Sequence, residues 1–106
     1  MIYRVRARFR TEKALEFYQK LTNGTISNQQ PDGREMVASM QRAKITASGE
    51  VEWYEMCFCS APLAHERTTV YNHYFEALTT EPAIEYGEVN GDSFWTWLSL
   101  AIDKPV

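Results

Sequence analysis

The sequence predicts an α+β domain with a ferredoxin-like fold, in which strand, helix, strand, strand, helix and strand form a four-stranded antiparallel sheet with both helices on one face. Residues 2–9 alternate between apolar and basic side chains, and a hairpin-like pair of runs spans Met36–Cys59. A helical pattern of apolar residues lies on each side of that pair, and a short aromatic helix follows at the C-terminus. With 106 residues, the chain has the length of one domain, 1–106.

The first strand and the first helix are predicted from the N-terminal residues. In residues 2–9 one face is apolar and the other carries arginines, as in a strand with one buried face. Thr11 can cap a helix that continues to about Leu21, where an Asn-Gly pair is a common stop signal. The polar residues 25–34 are predicted to form a loop.

The predicted hairpin, Met36–Cys59, is the centre of this fold. A turn at residues 48–49 pairs residues whose numbers sum to 97, which places Ala43 opposite Tyr54. Small residues then face large ones, as on a packed sheet face. The same register turns Trp53 to the other, half-wet face.

The C-terminal third is predicted to contain a helix, a strand and a short tail. The second helix follows the hairpin and ends before Pro82, and residues 83–89 form the fourth strand. Asp92 or Ser93 then caps a short aromatic helix over residues 94–100.

In a ferredoxin-like sheet the first and third strands are central, and the face opposite the helices is open. A second subunit commonly covers such a face, so we expect a homodimer. The aromatic tail has three interpretations: burial over the sheet face, a dimer anchor, or the wall of a ligand pocket. We favour burial, followed by dimerisation, and name Trp95 and Trp97 as the interface candidates.

Composition narrows the classes of partner. A net charge of −3 argues against nucleic-acid binding, and no apolar run approaches the roughly 20 residues of a membrane span. The N-terminus lacks the apolar region of a signal peptide. Two cysteines one residue apart in an extended strand do not form a usual disulfide, so we expect reduced thiols and a cytoplasmic protein.

The first candidate site is the row Arg4, Arg6 and Arg8, with Arg42 near it. We expect this row on the sheet face away from the helices, where guanidinium groups can hold a small anionic ligand through paired hydrogen bonds. The alternative is that the arginines pair with acids on neighbouring strands, the candidates being Glu55, Glu85 and Glu88.

The second candidate site joins thiols and imidazoles. Cys59 precedes a helix N-terminus, which stabilises a thiolate, and His65 can assist it as a base. A stripe of His65, Thr69 and His73 can serve acid–base chemistry or form the polar margin of the helix. Cys57, Cys59 and His65 do not have the usual zinc spacing, and His73 lies about 12 Å farther along the helix, so no metal and no cofactor is predicted. The alternative is that both thiols are buried small hydrophobes.

Two functional hypotheses follow from these residues. The first is a small homodimeric ligand-binding or interaction module without catalysis. The second is a cofactor-free enzyme acting on an organic anion held by the sheet arginines, with His65 or Cys59 as acid–base group or nucleophile.

Overall fold

A computed structural model describes residues 1–101 as one antiparallel sheet with helices. The strands are β1 (Ile2–Phe9), β2 (Lys44–Ile45), β3 (Val51–Met56), β4 (Phe75–Ala83) and β5 (Asp92–Ser93). The helices are α1 (Ala14–Thr22), preceded by a 3₁₀ turn at Thr11–Lys13, then α2 (Gly33–Arg42), α3 and α4 (Phe94–Ser99). Helix α3 comprises Ala64–Glu66, a π-helical stretch at Arg67–Tyr71, and Asn72–Tyr74.

The sheet has the strand order β4-β1-β3-β2-β5, and β1 pairs antiparallel with both β3 and β4. The predicted α+β class is confirmed, as are the first strand and the interior positions of β1 and β3. The prediction of four strands is wrong, because a short fifth strand adds to the edge at β2.

The hydrophobic core lies between the sheet and the helices. The apolar face of β1 is buried and its arginines point to the other side, as the alternation predicts. The ring of Phe9 is central to this core, with centroids 5.7 Å from Phe17, 5.3 Å from Phe75 and 5.0 Å from Phe94. One ring thus joins β1 to α1, β4 and α4.

The first half of the predicted hairpin is a helix, α2, and not a strand. Met36, Ser39 and Met40 are all fully buried, and their spacing of three and four residues matches one helical face. Met36 and Met40 are also an even number of positions apart, as on one face of a strand, and this produced the wrong assignment. Only Lys44 and Ile45 remain as a strand in front of the turn.

The predicted hairpin register is also wrong, by one residue. Lys44 pairs with Glu52 and Ile45 with Val51, so facing numbers sum to 96. Since side chains alternate along a strand, this shift exchanges the two faces of β3. Trp53 therefore lies in the core, whereas the prediction placed Tyr54 there.

The second helix ends earlier than predicted, and the strand that follows it begins earlier. Helix α3 ends at Tyr74, and Phe75 already has extended backbone dihedrals, φ −127° and ψ 156°. Strand β4 then pairs along β1, with an irregularity where Ala77 adopts a positive φ of 53°. The predicted strand at 83–89 is therefore wrong, except for Ala83.

Residues 84–91, here called the crossing segment, run over the face away from the helices. The segment crosses the sheet because β4 and β5 lie at opposite edges. Gly87 lies against the phenol of Tyr54, where a Cβ would stand 2.6 Å from the hydroxyl oxygen. The sheet face that was expected to be open is thus partly covered by the chain itself.

Helix α4 packs on the helix side of the sheet, against α1 and α2. Its predicted cap is confirmed, since the Ser93 hydroxyl accepts the Thr96 N–H at 3.1 Å. The Trp97 ring centroid lies 5.9 Å from that of Phe9, so Trp97 packs against the core and not over the arginines. Among residues 1–101, no helix has the length and apolar character needed to cross a membrane.

One carboxyl group is buried inside the core. Oε1 of Glu55 accepts hydrogen bonds from the Trp53 indole N–H at 2.9 Å and the Tyr71 hydroxyl at 2.6 Å. Its other oxygen has no hydrogen-bond partner among the described residues. Burial raises the pKa of Glu55 to about 8, although the two hydrogen bonds act in the opposite direction.

This burial predicts a pH-dependent stability that a single substitution removes. The folded state keeps the Glu55 proton up to about pH 8, whereas the unfolded chain loses it near 4.5. The stabilising contribution is therefore complete below pH 4.5 and is lost as the pH rises to 8, at up to about 1.4 kcal/mol per pH unit. Glu55→Gln, which imitates the protonated carboxyl, should remove this slope.

The measurement is the free energy of unfolding in urea from pH 5 to pH 8 for the wild type and Glu55→Gln. We expect the variant to become the more stable protein toward pH 8. Parallel pH profiles for the two proteins would show that Glu55 is ionised in the folded state.

Candidate functional site

A pocket of about 310 Å³ lies where β3 ends and where α2 and α3 begin. Its walls combine apolar side chains with carboxyl groups and thiols. The lining residues are Pro31, Asp32, Glu35, Met56, Cys57, Phe58, Cys59 and Glu66.

The chain beyond β3 brings the two cysteines to one side. The backbone of Cys57 exchanges two hydrogen bonds with Met1, each 2.8 Å, which extends the β1–β3 pairing by one residue. The chain then bends, and the N–H of Cys59 donates to the sulfur of Cys57 at 3.2 Å. The two thiols consequently meet the first turn of α3 together.

The thiols of Cys57 and Cys59 both donate hydrogen bonds to one buried carboxylate, that of Glu66. Sγ of Cys57 and Sγ of Cys59 lie 3.6 Å and 3.3 Å from Oε1 of Glu66, and these donor atoms all lie within 4.8 Å of one another. Glu66 is only 1% exposed. Its position in the first turn of α3 is favourable for a negative charge.

The Cys57 thiol is protonated at neutral pH in this environment. Burial raises its pKa to about 12, and the hydrogen bonds with the Cys59 side chain and Glu66 act in the same direction. Two backbone N–H groups, of Cys59 and Leu63, oppose this shift because they stabilise an anionic sulfur.

An aspartate–histidine pair lies beside the same pocket. Oδ2 of Asp32 is 2.6 Å from Nδ1 of His65, whose side chain is 40% exposed. Asp32 precedes α2 but its side chain does not cap that helix. Its second oxygen, Oδ1, is buried and has no partner within residues 1–101.

Glu35 connects three parts of the structure at the pocket. Its Oε2 accepts the backbone N–H of Met56 at 2.9 Å, the hydroxyl of Tyr86 at 2.9 Å and a guanidinium N–H of Arg42 at 3.3 Å. The carboxylate thus accepts the Met56 N–H at the edge of β3, where β2 has already ended. Through Tyr86 it also links the crossing segment to α2.

The predicted arginine row faces away from the helices, and each member has an acidic partner. Arg4 and Arg6 both contact Glu52, at 3.1 Å each, and Arg8 contacts Glu76 at 3.3 Å. Arg42 lies on α2, away from the row, where its partner is Glu35. Pairing with acids does occur, although the partners differ from those predicted, which were Glu55, Glu85 and Glu88. Anion binding by these arginines stays a prediction.

Cys59 and His65 lie around the same pocket but do not share a partner. Cys59 contacts Glu66, and His65 contacts Asp32. His73 lies elsewhere, 3.2 Å from Glu16 of α1. Catalysis by Cys59 or His65 stays a prediction.

The two tail tryptophans, the predicted interface residues, are partly buried. Trp95 packs edge-to-face on Tyr18, with centroids 5.5 Å apart, and Trp97 contacts the core. An additional role in an interface stays a prediction.

Sequence reasoning missed the carboxylates of this pocket. Glu66 belongs to none of the candidate sites inferred from the sequence, yet the structure buries it in the pocket wall. A signal was present, because Glu66 lies three residues after Leu63 and four before Val70 on the buried stripe of α3. No comparable signal marked Asp32, which lies in a polar stretch, or Glu35, which lies beside the segment predicted as a strand.

Comparison of the chain with protein-family models, curated proteins and solved structures found no match. The chemistry of the pocket is therefore inferred from its own residues. Its carboxylates and thiols can hold a cation, and its aspartate–histidine pair can transfer protons.

Proposed function

We propose that the protein is a ligand-binding module whose pocket accepts a small cationic or neutral molecule. The observation that carries this proposal is the buried carboxylate of Glu66, which receives hydrogen bonds from thiols. A buried carboxylate is costly unless a positive charge or strong donors compensate it. A cation in the pocket supplies that compensation.

The surroundings of the pocket support the same sign of charge. Three carboxyl groups, of Asp32, Glu35 and Glu66, line it, and no lysine or arginine is among its lining residues in the part of the chain that the structure describes. Arg42 pairs with Glu35 from outside the lining, which leaves Asp32 and Glu66 as carboxyl groups that no lysine or arginine contacts among the described residues. An anionic ligand, as expected from the arginine row, is therefore disfavoured here. The volume of about 310 Å³ is at the lower end of the usual range for ligand sites, so the ligand is small.

A pair of probes with the same ring and opposite charges tests this proposal. Benzylammonium should bind metal-free protein with a Kd on the order of 1 mM, whereas benzoate should not bind. In ¹H–¹⁵N correlation spectra, benzylammonium should shift the amides of Asp32, Glu35, Cys57 and Cys59.

Two charge-neutralising variants complete this experiment. Asp32→Asn should weaken benzylammonium binding several-fold, and Glu12→Gln, which removes an exposed charge outside the pocket, should leave it unchanged. Equal binding of benzoate, or shifts located away from the pocket, would refute the proposal.

A second candidate function is acid–base catalysis in the same pocket. The 2.6 Å contact between Asp32 and His65 supports it, because a carboxylate that orients an imidazole is a common acid–base arrangement. Cys59 is the candidate nucleophile beside it, as part of the same lining.

Hydrolysis of p-nitrophenyl acetate tests this candidate. If the pair is catalytic, the wild type should exceed free imidazole at equal concentration, and His65→Asn should lower the rate about 10² -fold or more. His73→Asn is the matched control, since that histidine lies on another surface. Equal rates for the wild type and His65→Asn exclude the catalytic role.

We also propose that the protein is a homodimer, as expected from the sequence. Support comes from three exposed apolar side chains at the end of the sheet where β1 begins and β3 and β4 end: Met1 is 60%, Phe58 90% and Ile84 98% exposed. A second copy that covers them removes this apolar surface from water.

Sedimentation velocity at low micromolar concentration measures this association. We expect a dimer for the wild type and a shift toward monomer for Ile84→Glu, because the new charge would be buried. Leu15→Glu, at an exposed apolar position on α1, should remain dimeric. A monomeric wild type would contradict the proposal.

Two further expectations remain part of the proposal. The order β4-β1-β3-β2, with α1 and α2 between β1 and β2 and α3 between β3 and β4, supports a ferredoxin-like fold extended by β5. The two free thiols support a reducing, cytoplasmic location.

A further inference from the structure

We propose that Cys57, Cys59 and Glu66 form a binding site for a divalent transition-metal ion, with zinc as the best match, and that its open coordination position faces the pocket. This inference rests on the proposed cation-accepting pocket and names the class of cation. The residues come from the end of β3 and the first turn of α3, so the sheet and a helix hold the site between them.

The separations of the donor atoms match a tetrahedral site. With Zn–S near 2.3 Å and Zn–O near 2.0 Å, tetrahedral angles place a sulfur about 3.5 Å from an oxygen. The observed distances from Glu66 Oε1 to the two sulfurs are 3.6 Å and 3.3 Å. All three donor atoms lie within 4.8 Å of one another, a spacing at which one ion can contact all three.

The types of donor select the metal. Two thiolates favour zinc and its neighbours over magnesium and calcium, which prefer oxygen ligands. A carboxylate oxygen is also among the donors that zinc accepts. Three protein ligands with one further position open to a pocket is the composition of zinc sites that bind a water or a small molecule.

The backbone around Cys57 is arranged for an anionic sulfur. The N–H of Cys59 donates to Cys57 Sγ at 3.2 Å. Leu63 has φ 53° and ψ 29°, a left-handed conformation that costs a non-glycine residue about 1–2 kcal/mol. A bound thiolate gives a physical reason for an amide that donates to this sulfur and for a strained residue where α3 begins.

A coordinated cation also gives the buried Glu66 carboxylate a positively charged partner, while the net charge of the site stays at −1. On binding, each thiol releases its proton to solvent, which leaves two thiolates and one carboxylate around a doubly positive ion. Without a metal, the burial of the Glu66 carboxylate is compensated only by two S–H groups, which are weak hydrogen-bond donors. The metal replaces them with direct coordination, and the short spacing of the three residues keeps the entropic cost of assembling the site small.

Cobalt titration of metal-free protein tests the site, because Co²⁺ reports its ligands by absorption. We expect one Co²⁺ per chain, a thiolate-to-cobalt charge-transfer band and the intense visible bands of tetrahedral cobalt, all abolished by Zn²⁺. Glu66→Gln and Cys59→Ser should each lower the affinity at least about 10-fold. Glu12→Gln, an exposed position of the same charge, should behave as the wild type.

Alkylation of the wild type by iodoacetamide provides a measurement that does not depend on folding of the variants. Peptide mapping should show that Zn²⁺ slows modification of Cys59. Weak octahedral cobalt bands without the sulfur band, absence of Zn²⁺ protection, or unchanged affinity in Glu66→Gln would each overturn the inference.

The two proposals fail in distinguishable ways. Benzylammonium binding is measured on metal-free protein, so a negative cobalt result with retained benzylammonium shifts at the pocket removes the metal site alone. A positive cobalt result without those shifts removes the organic ligand and leaves the pocket as a metal site.

Discussion

The register of β3 against β1 is the constraint on which the rest of the structure depends. Val5 faces Trp53 and Tyr3 faces Glu55, so the core side of the sheet presents an indole and a carboxyl to α3. The same alternation turns Cys57 toward α3 beyond the end of the strand. A shift of one residue would send all of these groups to the other face, because side chains alternate along a strand. Core and pocket therefore share one geometric origin.

The sequence predicts the parts of this fold whose periodicity is long and clean. From Tyr3 to Phe9 the residues of β1 alternate without exception, and the stripe of α1 spans two turns, so both were recognised. Residues 36–42 were wrongly assigned, because Met36 and Met40 fit a strand as well as a helix when only seven residues are considered. Phe75 continues the apolar stripe of the predicted second helix and is also the first residue of β4, so the apolar pattern does not show where the helix ends.

The candidate site was predicted only through its thiols and His65. Chemistry-bearing residue types are visible in a sequence, but their partners depend on tertiary packing, which places Asp32 beside His65 across 33 residues. The ion pairs of the arginine row, on the opposite face of the sheet, also depend on tertiary packing. Pairing of the arginines with acids was foreseen as the alternative, yet Glu52 was not foreseen as a partner, because the hairpin register had turned it to the wrong side.

The π-helical stretch at Arg67–Tyr71 has a consequence for how this molecule can change. In a regular α-helix, Glu66 and Tyr71 would point about 140° apart, since each residue adds about 100°. The wider turn reduces that angle, and both side chains are buried, one at the thiols and the other at Glu55. The π-helical turn of α3 thus lets Glu66 contact the thiols while Tyr71 contacts Glu55. With one residue fewer in this stretch, the two positions would stand four apart, about 40° in a regular α-helix, and would still share a face. The extra residue of the wide turn is therefore absorbed by the π-helical geometry, and its loss is compatible with an ordinary helix.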